Sequence, residues 1–325
     1  MGDPAGCGPQ ITISAWKQRN ALDLAPFFVV ADPRVLDGQV PIVEISTPEH
    51  ALTAFGSALP VLPIELPHGD SVKAGQPSSD YASTITESIA TATDLCLNGG
   101  AAAIVTNPIS KAILYEAGFA FPGHTEFIAD LCSTADAPIK PIMMLVGGGL
   151  SVALATIHVP LMKVLDHLTP DGLTETAVIT HEAMQRDFGI AAPRLAFTGL
   201  NPHAGEDGTI GTEERDIINP VAEALRRRGI DISDARPGDT VFHEALSGRY
   251  DAVIAMTHDQ GLIPVKTLDM WGGVNTTLGL PIIRTSPDHG TAYEAAAQGS
   301  CRPDSLIAAL RLADKMARQR AQFND

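Results

Sequence analysis

Three histidines follow short apolar runs, and an imidazole at the end of a buried strand can bind a metal or move a proton. His158 follows residues 152–156. His203 follows 195–200, in Asn201-Pro202-His203-Ala204-Gly205-Glu206. His258 follows 252–256, in Thr257-His258-Asp259-Gln260-Gly261. In a parallel sheet, sites form at the carboxyl ends of the strands. Three imidazoles suit a borderline divalent ion such as zinc and leave positions open for substrate. Zinc has no redox chemistry, so it would serve as a Lewis acid. Any one histidine is more often structural or exposed than a ligand. The Gly, Pro and Asp neighbours of these three are what set them apart. His50, His68, His167, His181 and His243 lack that setting and read as background.

A second polar segment is Gly123-His124-Thr125-Glu126. It opens a helix, whose free N–H groups and the Thr125 hydroxyl could hold an anion. An ordinary cap by Thr125 explains the same residues equally well. Lys266, Asn275 and Arg284 form a third set. They are candidates for a phosphate clamp, with surface charge as the plain alternative. No GxGxxG follows a strand, so the common dinucleotide fingerprint is missing, and no P-loop motif is present. Gly147-Gly148-Gly149 reads as a tight hairpin-like connection.

These groups need a scaffold, and the β-α-β rhythm supplies one. Strands are expected at 27–30, 101–106, 142–146, 152–156, 195–200 and 252–256, with another ending at Ile282 and Ile283. Helices are expected at 79–98, 171–188, 213–228 and 303–319. The pattern predicts an α/β fold with a mostly parallel sheet and helices on both faces. The 325 residues, 45% of them hydrophobic, can bury one large unit or two joined lobes. A net charge of -16 argues against nucleic acid or an anionic membrane as partner. No apolar run reaches the length of a membrane span. Cys7, Cys96, Cys132 and Cys301 are scattered, which fits free thiols in a reducing cytoplasm. The chain opens directly in the glycine-rich turn 1–9, with no room for the strand that usually precedes one. That strand is expected to be cut short or to lie upstream.

Taken together, MGDPAGCGP, GHTEFIADL, TIHVPL, GLNPHAGEDGTIGTEE, PGDTVF and HDQGLIPVKTLDMWGGVNTTLGLPIIRTSPDHGTA resemble the 4-hydroxythreonine-4-phosphate dehydrogenase family, from the first residue to about Ala292. The resemblance implies a two-lobed α/β/α fold like that of isocitrate and isopropylmalate dehydrogenases. The lobes would be 1–122 plus 298–325, and 123–297, with the active site in the cleft and at the interface of a homodimer. It implies that His158, His203 and His258 hold a divalent metal, zinc first, with magnesium or cobalt as alternatives. Asp239 and Asp259 would support that site. His124, Thr125, Lys266, Asn275 and Arg284 would contact substrate. His289, Gly290, Thr291 and Ala292 would receive NAD, or NADP, on a loop unlike the common fingerprint. Thr257 stands where the family has Tyr, Cys7 and Gln10 depart from its first motif, and residues 294–299 replace a glycine-rich run. These departures leave every ligand in place and bear on substrate detail and cofactor affinity.

The reaction so implied is NAD-linked oxidation and decarboxylation of 4-phosphohydroxy-L-threonine to 3-amino-2-oxopropyl phosphate, in vitamin B6 biosynthesis. Lys266, Asp259 and Asp239 would take part in the chemistry. A sister dehydrogenase, acting on an erythronate- or threonate-type phosphate or on an aromatic cis-diol acid, is the nearest alternative. An acyltransferase of related fold is more remote, because it needs no histidine triad. A catalytically dead, metal-stabilised dimer is the remaining one.

Overall fold

Parallel strands must be joined by crossovers of a dozen or more residues, and helices supply them here. The computed structural model describes residues 1–36, 38–134 and 137–324. It divides into two units, Met1–Ile139 with Leu280–Asp314, and Lys140–Gly279 with Lys315–Asp325. These units divide at 139/140 and 279/280, and the lobes that the resemblance implies divide at 122/123 and 297/298. Packing explains the difference. Ile128 and Ala129 are buried with Ile85, Ile104 and Leu114 in the first unit, and strand Ile283–Pro287 pairs in parallel with Ala103–Val105.

The first unit opens with α1 (Gly8–Gln18), β1 (Val29–Ala31), β2 (Ile42–Glu44), α2 (Glu49–Ala54) and β3 (Leu59–Pro63). The three strands form a small parallel sheet in the order β1-β3-β2. α3 (Ala82–Leu97), β4 (Ala103–Val105), α4 (Lys111–Glu116) and α5 (His124–Cys132) follow.

The second unit runs β5 (Ile142–Gly147), β6 (Leu150–Leu154), α6 (Val164–His167), α7 (Pro170–Arg186), β7 (Arg194–Thr198), α8 (Asn219–Arg227), β8 (Asp231–Arg236), α9 (Val241–Leu246), β9 (Ala252–Ala255), α10 (His258–Leu268) and β10 (Val274–Leu278). The chain returns to the first unit with β11 (Ile283–Pro287), α11 (Tyr293–Gln298) and the start of α12 (Asp304–Asn324).

Strand order in the second unit is β10-β5-β6-β9-β7-β8. β5 is antiparallel to both β10 and β6, and all other pairs are parallel. Gly148 and Gly149, both with positive φ, close the β5–β6 hairpin as a two-residue turn. β9 is buried at every position, as expected for a strand covered on both faces. α7 is started by Thr169, whose hydroxyl accepts from Gly172 N, with Pro170 in its first turn. Its buried Leu173, Ala177 and Met184 join Ile142, Met144, Phe197 and Ile254 in one core. Each such large side chain contributes roughly 1.5–3 kcal/mol by burial.

Two elements differ from the sequence expectation. Residues 213–228 do not form one α-helix, because a π-helical turn, Glu214–Ile218, precedes α8. β11 begins at Ile283 instead of ending there. Its polar residues Arg284, Thr285 and Ser286 are all buried, so polarity there does not mark a loop.

Candidate active site

β6, β9 and β7 run in parallel, with Leu154 beside Ala255 and Phe197 beside Ile254. Their carboxyl ends therefore open at one edge of the sheet. The register brings two of the three singled-out imidazoles together. The rings of His158 and His258 lie 5.5 Å apart, centre to centre, inclined at 42°. Two imidazoles sharing one tetrahedral ion at ordinary zinc–nitrogen lengths would have ring centres about 5 Å apart, close to the spacing here. Nδ1 of His258 donates to Oδ1 of Asp259 at 2.8 Å. That leaves Nε2 as the nitrogen with a lone pair to give. His158 has φ of 50°, a left-handed conformation that costs a non-glycine residue about 1–2 kcal/mol. Asp239 lies exposed in the turn before α9, and the carboxylate on an imidazole is that of Asp259.

His203 opens an unusual segment. Five consecutive residues, His203 to Asp207, are left-handed, with φ of 52°, 51°, 78°, 43° and 53°. Four of them are not glycine, so this turn must be held by its surroundings. The holder is Glu214, 2% exposed. Its Oε1 accepts from Leu200 N at 2.8 Å and Asn201 N at 2.7 Å, and its Oε2 from Asn201 Nδ2 at 3.0 Å. His203 itself is exposed. Among the described residues, no group of three or more His, Cys, Asp or Glu side chains is gathered to hold a metal. Within one chain the imidazoles form a pair.

Lys266 and Asn275 lie elsewhere in the second unit. Asn275 shares a row of the sheet with Leu145, Val152 and Val253. His258 lies beyond the far end of β9, and three strand spacings separate β10 from β9. At about 4.8 Å per spacing and 3.3 Å per residue, Asn275 and His258 are roughly 20 Å apart. Lys266 stands two turns along α10 from His258, about 12 Å away on the way back toward Asn275. Gly147 allows this return, since a Cβ there would meet Gly273 Cα and Val265 Cγ1 at 3.1 Å. Asn275 Oδ1 is buried without a hydrogen-bond partner.

The first unit builds its own polar cluster at the amino end of α5. Gly123 is the N-cap and no side chain caps the helix, so Thr125 is not the cap that the sequence allows. Burial holds the His124 imidazole well below its ordinary 6.5, and the charge on Arg284 pushes the same way. His124 Nε2 is enclosed without a partner. Arg284 is 3% exposed and donates to Thr106 Oγ1 through Nε at 3.2 Å and Nη2 at 2.8 Å. Burial lowers its pKa to about 10, opposed by Glu126, so it stays charged at neutral pH. Lys111 and Glu126 flank Gly123. Asn107 donates to Thr12 Oγ1 at 2.8 Å and keeps a buried, unpartnered Oδ1. Sequence reasoning missed Thr106, Asn107 and Lys111. Their only signal was position, just past strand β4.

The segment 288–292 follows β11 and leads into α11. It is tied to the glycine-rich opening turn. Cys7 N donates to Thr291 O at 2.8 Å, and Tyr293 Oη donates to Asp3 Oδ2. Burial raises the Asp3 carboxyl, and it pushes Tyr293 up to about 12 with Asp3 adding to it. Burial also pushes Cys7 up to about 12, so it remains a neutral thiol. His289 and Gly290 are exposed, and a Cβ on Gly290 would meet nothing within 4 Å.

A mostly parallel α/β sheet, with imidazole and carboxylate at its strand ends and a buried arginine, is the architecture of an enzyme for small polar molecules. Comparison narrows the class to dehydrogenases. The profile of the family described as "Pyridoxal phosphate biosynthetic protein PdxA" matches residues 23–313, and the chain belongs to that family. It is 52% identical to the 4-hydroxythreonine-4-phosphate dehydrogenase of Maricaulis maris, over 99% of this chain and 97% of that protein. The crystal structure of the Klebsiella pneumoniae 4-hydroxythreonine-4-phosphate dehydrogenase superposes with a TM-score of 0.86 at 36% identity, covering 98% of each chain. A terephthalate 1,2-cis-dihydrodioldehydrogenase from Burkholderia xenovorans superposes at 0.66 and 26% identity, covering 97% of this chain and 96% of that one.

Proposed function

We propose that this chain oxidises 4-phosphohydroxy-L-threonine at its C3 hydroxyl with NAD, with loss of CO2, to give 3-amino-2-oxopropyl phosphate for pyridoxal phosphate synthesis. The observation that carries the reading is the His158–His258 pair, with Asp259 behind it, at parallel strand ends in a chain of this family. When bound, NAD supplies the hydride acceptor, and a divalent ion, zinc first with magnesium or cobalt as alternatives, supplies Lewis acidity at the hydroxyl.

His158, His258 and His203 would hold the ion, and Asp259 would fix the tautomer of His258. Asp239 would support the same site by fixing the orientation of an imidazole. Arg284, Lys266 and Asn275 would bind the phosphate. Arg284 is already desolvated and charged, which suits a dianion in an acidic protein. His124, held neutral, would share hydrogen bonds with the substrate, beside Thr125. Oxidation at C3 places a carbonyl β to the carboxylate, so the electrons released with CO2 can enter it. Lys266 would steady the charge that then develops on that oxygen. His289, Gly290, Thr291 and Ala292 would receive the adenosine side of NAD or NADP.

The enzyme would work as a homodimer. The backbones of Asn275 and His258, roughly 20 Å apart, are separated by more than the span of a four-carbon phosphate, under about 10 Å at ordinary bond lengths. That separation supports sites completed by a second chain. So do Leu161, Met162, Ile263, Met270 and Trp271, which are 53–92% exposed. A cytoplasmic location is supported by four free cysteines, and no helix among the described residues is long and apolar enough to cross a membrane.

Likeness to the dihydrodiol dehydrogenase favours a second reading, oxidation of a cyclic diol acid by the same residues. One assay separates the two. NADH absorbance is followed while the protein is offered four-carbon hydroxy-acid phosphates and a cis-dihydrodiol acid, with and without chelator. NADH formation from 4-phosphohydroxy-L-threonine alone, abolished by chelator and restored by zinc, is expected. Turnover of the diol acid alone overturns the substrate assignment.

A further inference from the structure

We propose that Glu214 is a positioning residue that aims His203. This rests on the reading of His203 as a metal ligand. The turn carrying His203 is left-handed at five positions in a row, closed on itself by Ala204 N donating to Asn201 O, Thr209 N to Glu206 O and Ile210 N to Gly205 O. The side-chain contacts that hold it from outside centre on one carboxylate. Both oxygens of Glu214 accept from the entry to the turn, at Leu200 N, Asn201 N and Asn201 Nδ2. The same carboxylate lies where a side chain on Gly205 would be, 2.6 Å from its would-be Cβ, and Gly205 also has φ of 78°. Gly199 lets Ala204 fold back, since a Cβ there would meet Ala204 Cα at 2.8 Å and Glu214 Oε1 at 3.2 Å. Thus the carboxylate touches the turn at its entry and at its middle, on either side of His203.

Glu213 braces the same asparagine. Its Oε2 accepts from Asn201 Nδ2 at 2.7 Å and from Thr212 N at 3.0 Å. Glu214 also begins the π-helical turn before α8, a wide turn of the kind found at functional sites. A buried carboxylate with three N–H donors cannot be replaced by a neutral amide without setting a donor against a donor. Glu214 makes no contact with substrate in this scheme and acts only through the placement of His203.

The test measures zinc affinity of the full-length, chelator-stripped protein by competition with a chromophoric chelator, for wild type, Glu214→Gln, His203→Ala and the double variant. Loss of a group that orients a ligand weakens metal binding about tenfold to a hundredfold. Glu214→Gln is expected in that range, and the double variant is expected to bind no more weakly than His203→Ala alone. Hydrogen exchange at Leu200 and Asn201 should speed up while residues 195–198 stay protected. Should Glu214→Gln not fold, Asn201→Ala removes one leg of the clamp and is expected to weaken zinc in the same direction. If His203→Ala is weakened and Glu214→Gln is not, or if the two losses multiply, the positioning role is overturned and the metal reading stands. If His203→Ala binds zinc as wild type does, the metal reading itself falls, and the role of Glu214 with it.

Discussion

Nδ1 of His258 meets Oδ1 of Asp259, its neighbour in the chain, at 2.8 Å. The contact is made by adjacent residues at the first turn of α10, so the carboxylate orients the ring without any long-range packing. Asp259 is largely exposed, which places its effect at the lower end for an orienting group. Asp259→Ala is expected to weaken zinc binding about tenfold, read by competition with a chelator. Unchanged affinity would remove Asp259 from the site.

Arg284 gives the sharpest test of substrate class. Loss of a charge-assisted hydrogen bond in a desolvated site costs about 1.5–3 kcal/mol, or roughly tenfold to a hundredfold in binding. Arg284→Met is expected to lower kcat/KM for the phosphorylated substrate by that factor and to shrink its advantage over dephosphorylated hydroxythreonine in parallel. Zinc should stay bound. A constant ratio between the two substrates would show that Arg284 does not read the phosphate.

His124 links stability to acid. Its folded pKa lies well below 6.5, so the unfolded chain takes up a proton that the folded chain refuses. Stability is therefore full above about pH 6.5 and is lost as pH falls below it, by at most about 1.4 kcal/mol per pH unit for one group. His181, lowered by its own burial, adds to the same limb. His124→Gln should show a shallower fall in Tm between about pH 6.5 and 5 than wild type. Identical slopes would mean that His124 titrates normally.

Gly290 addresses the cofactor. Because a side chain there meets open space, Gly290→Val should fold normally. The valine would instead occupy volume needed by the dinucleotide. KM for NAD should rise far more than KM for the hydroxy-acid phosphate. Equal changes, or none, would move the cofactor away from this loop.

The sequence reveals the core strands because they are short, wholly apolar and followed by polar clusters, as at Ala252–Ala255 before His258. It does not reveal β2, which is only three residues long, β3, which carries Pro60 and Pro63, or β8, whose charged residues suit a sheet edge. The His158–His258 pair was legible, since parallel strands deliver their ends to one place. The left-handed turn at His203 was not, because the tolerance of His and Asp for positive φ does not extend to Ala204 and Glu206. The burial of Arg284 is not legible in the sequence, because its partner, Thr106, is 178 residues away in the chain. The distance between Asn275 and His258 required the sheet register, which composition and spacing do not carry.

Among the described residues β5 is the one reversed strand of the second unit, and with β10 parallel to β9 the backbones of Asn275 and His258 stand at opposite ends of the sheet. The genetic consequence is complementation. If each site draws its imidazoles from one chain and Lys266 and Asn275 from the other, two dead proteins can repair each other. A His258→Ala chain and a Lys266→Ala chain, each inactive alone, would form mixed dimers in which one of the two sites has every wild-type residue and the other has neither. Co-refolded in equal amounts with random pairing, they should recover roughly a quarter of wild-type activity. Sites contained within single chains would recover none.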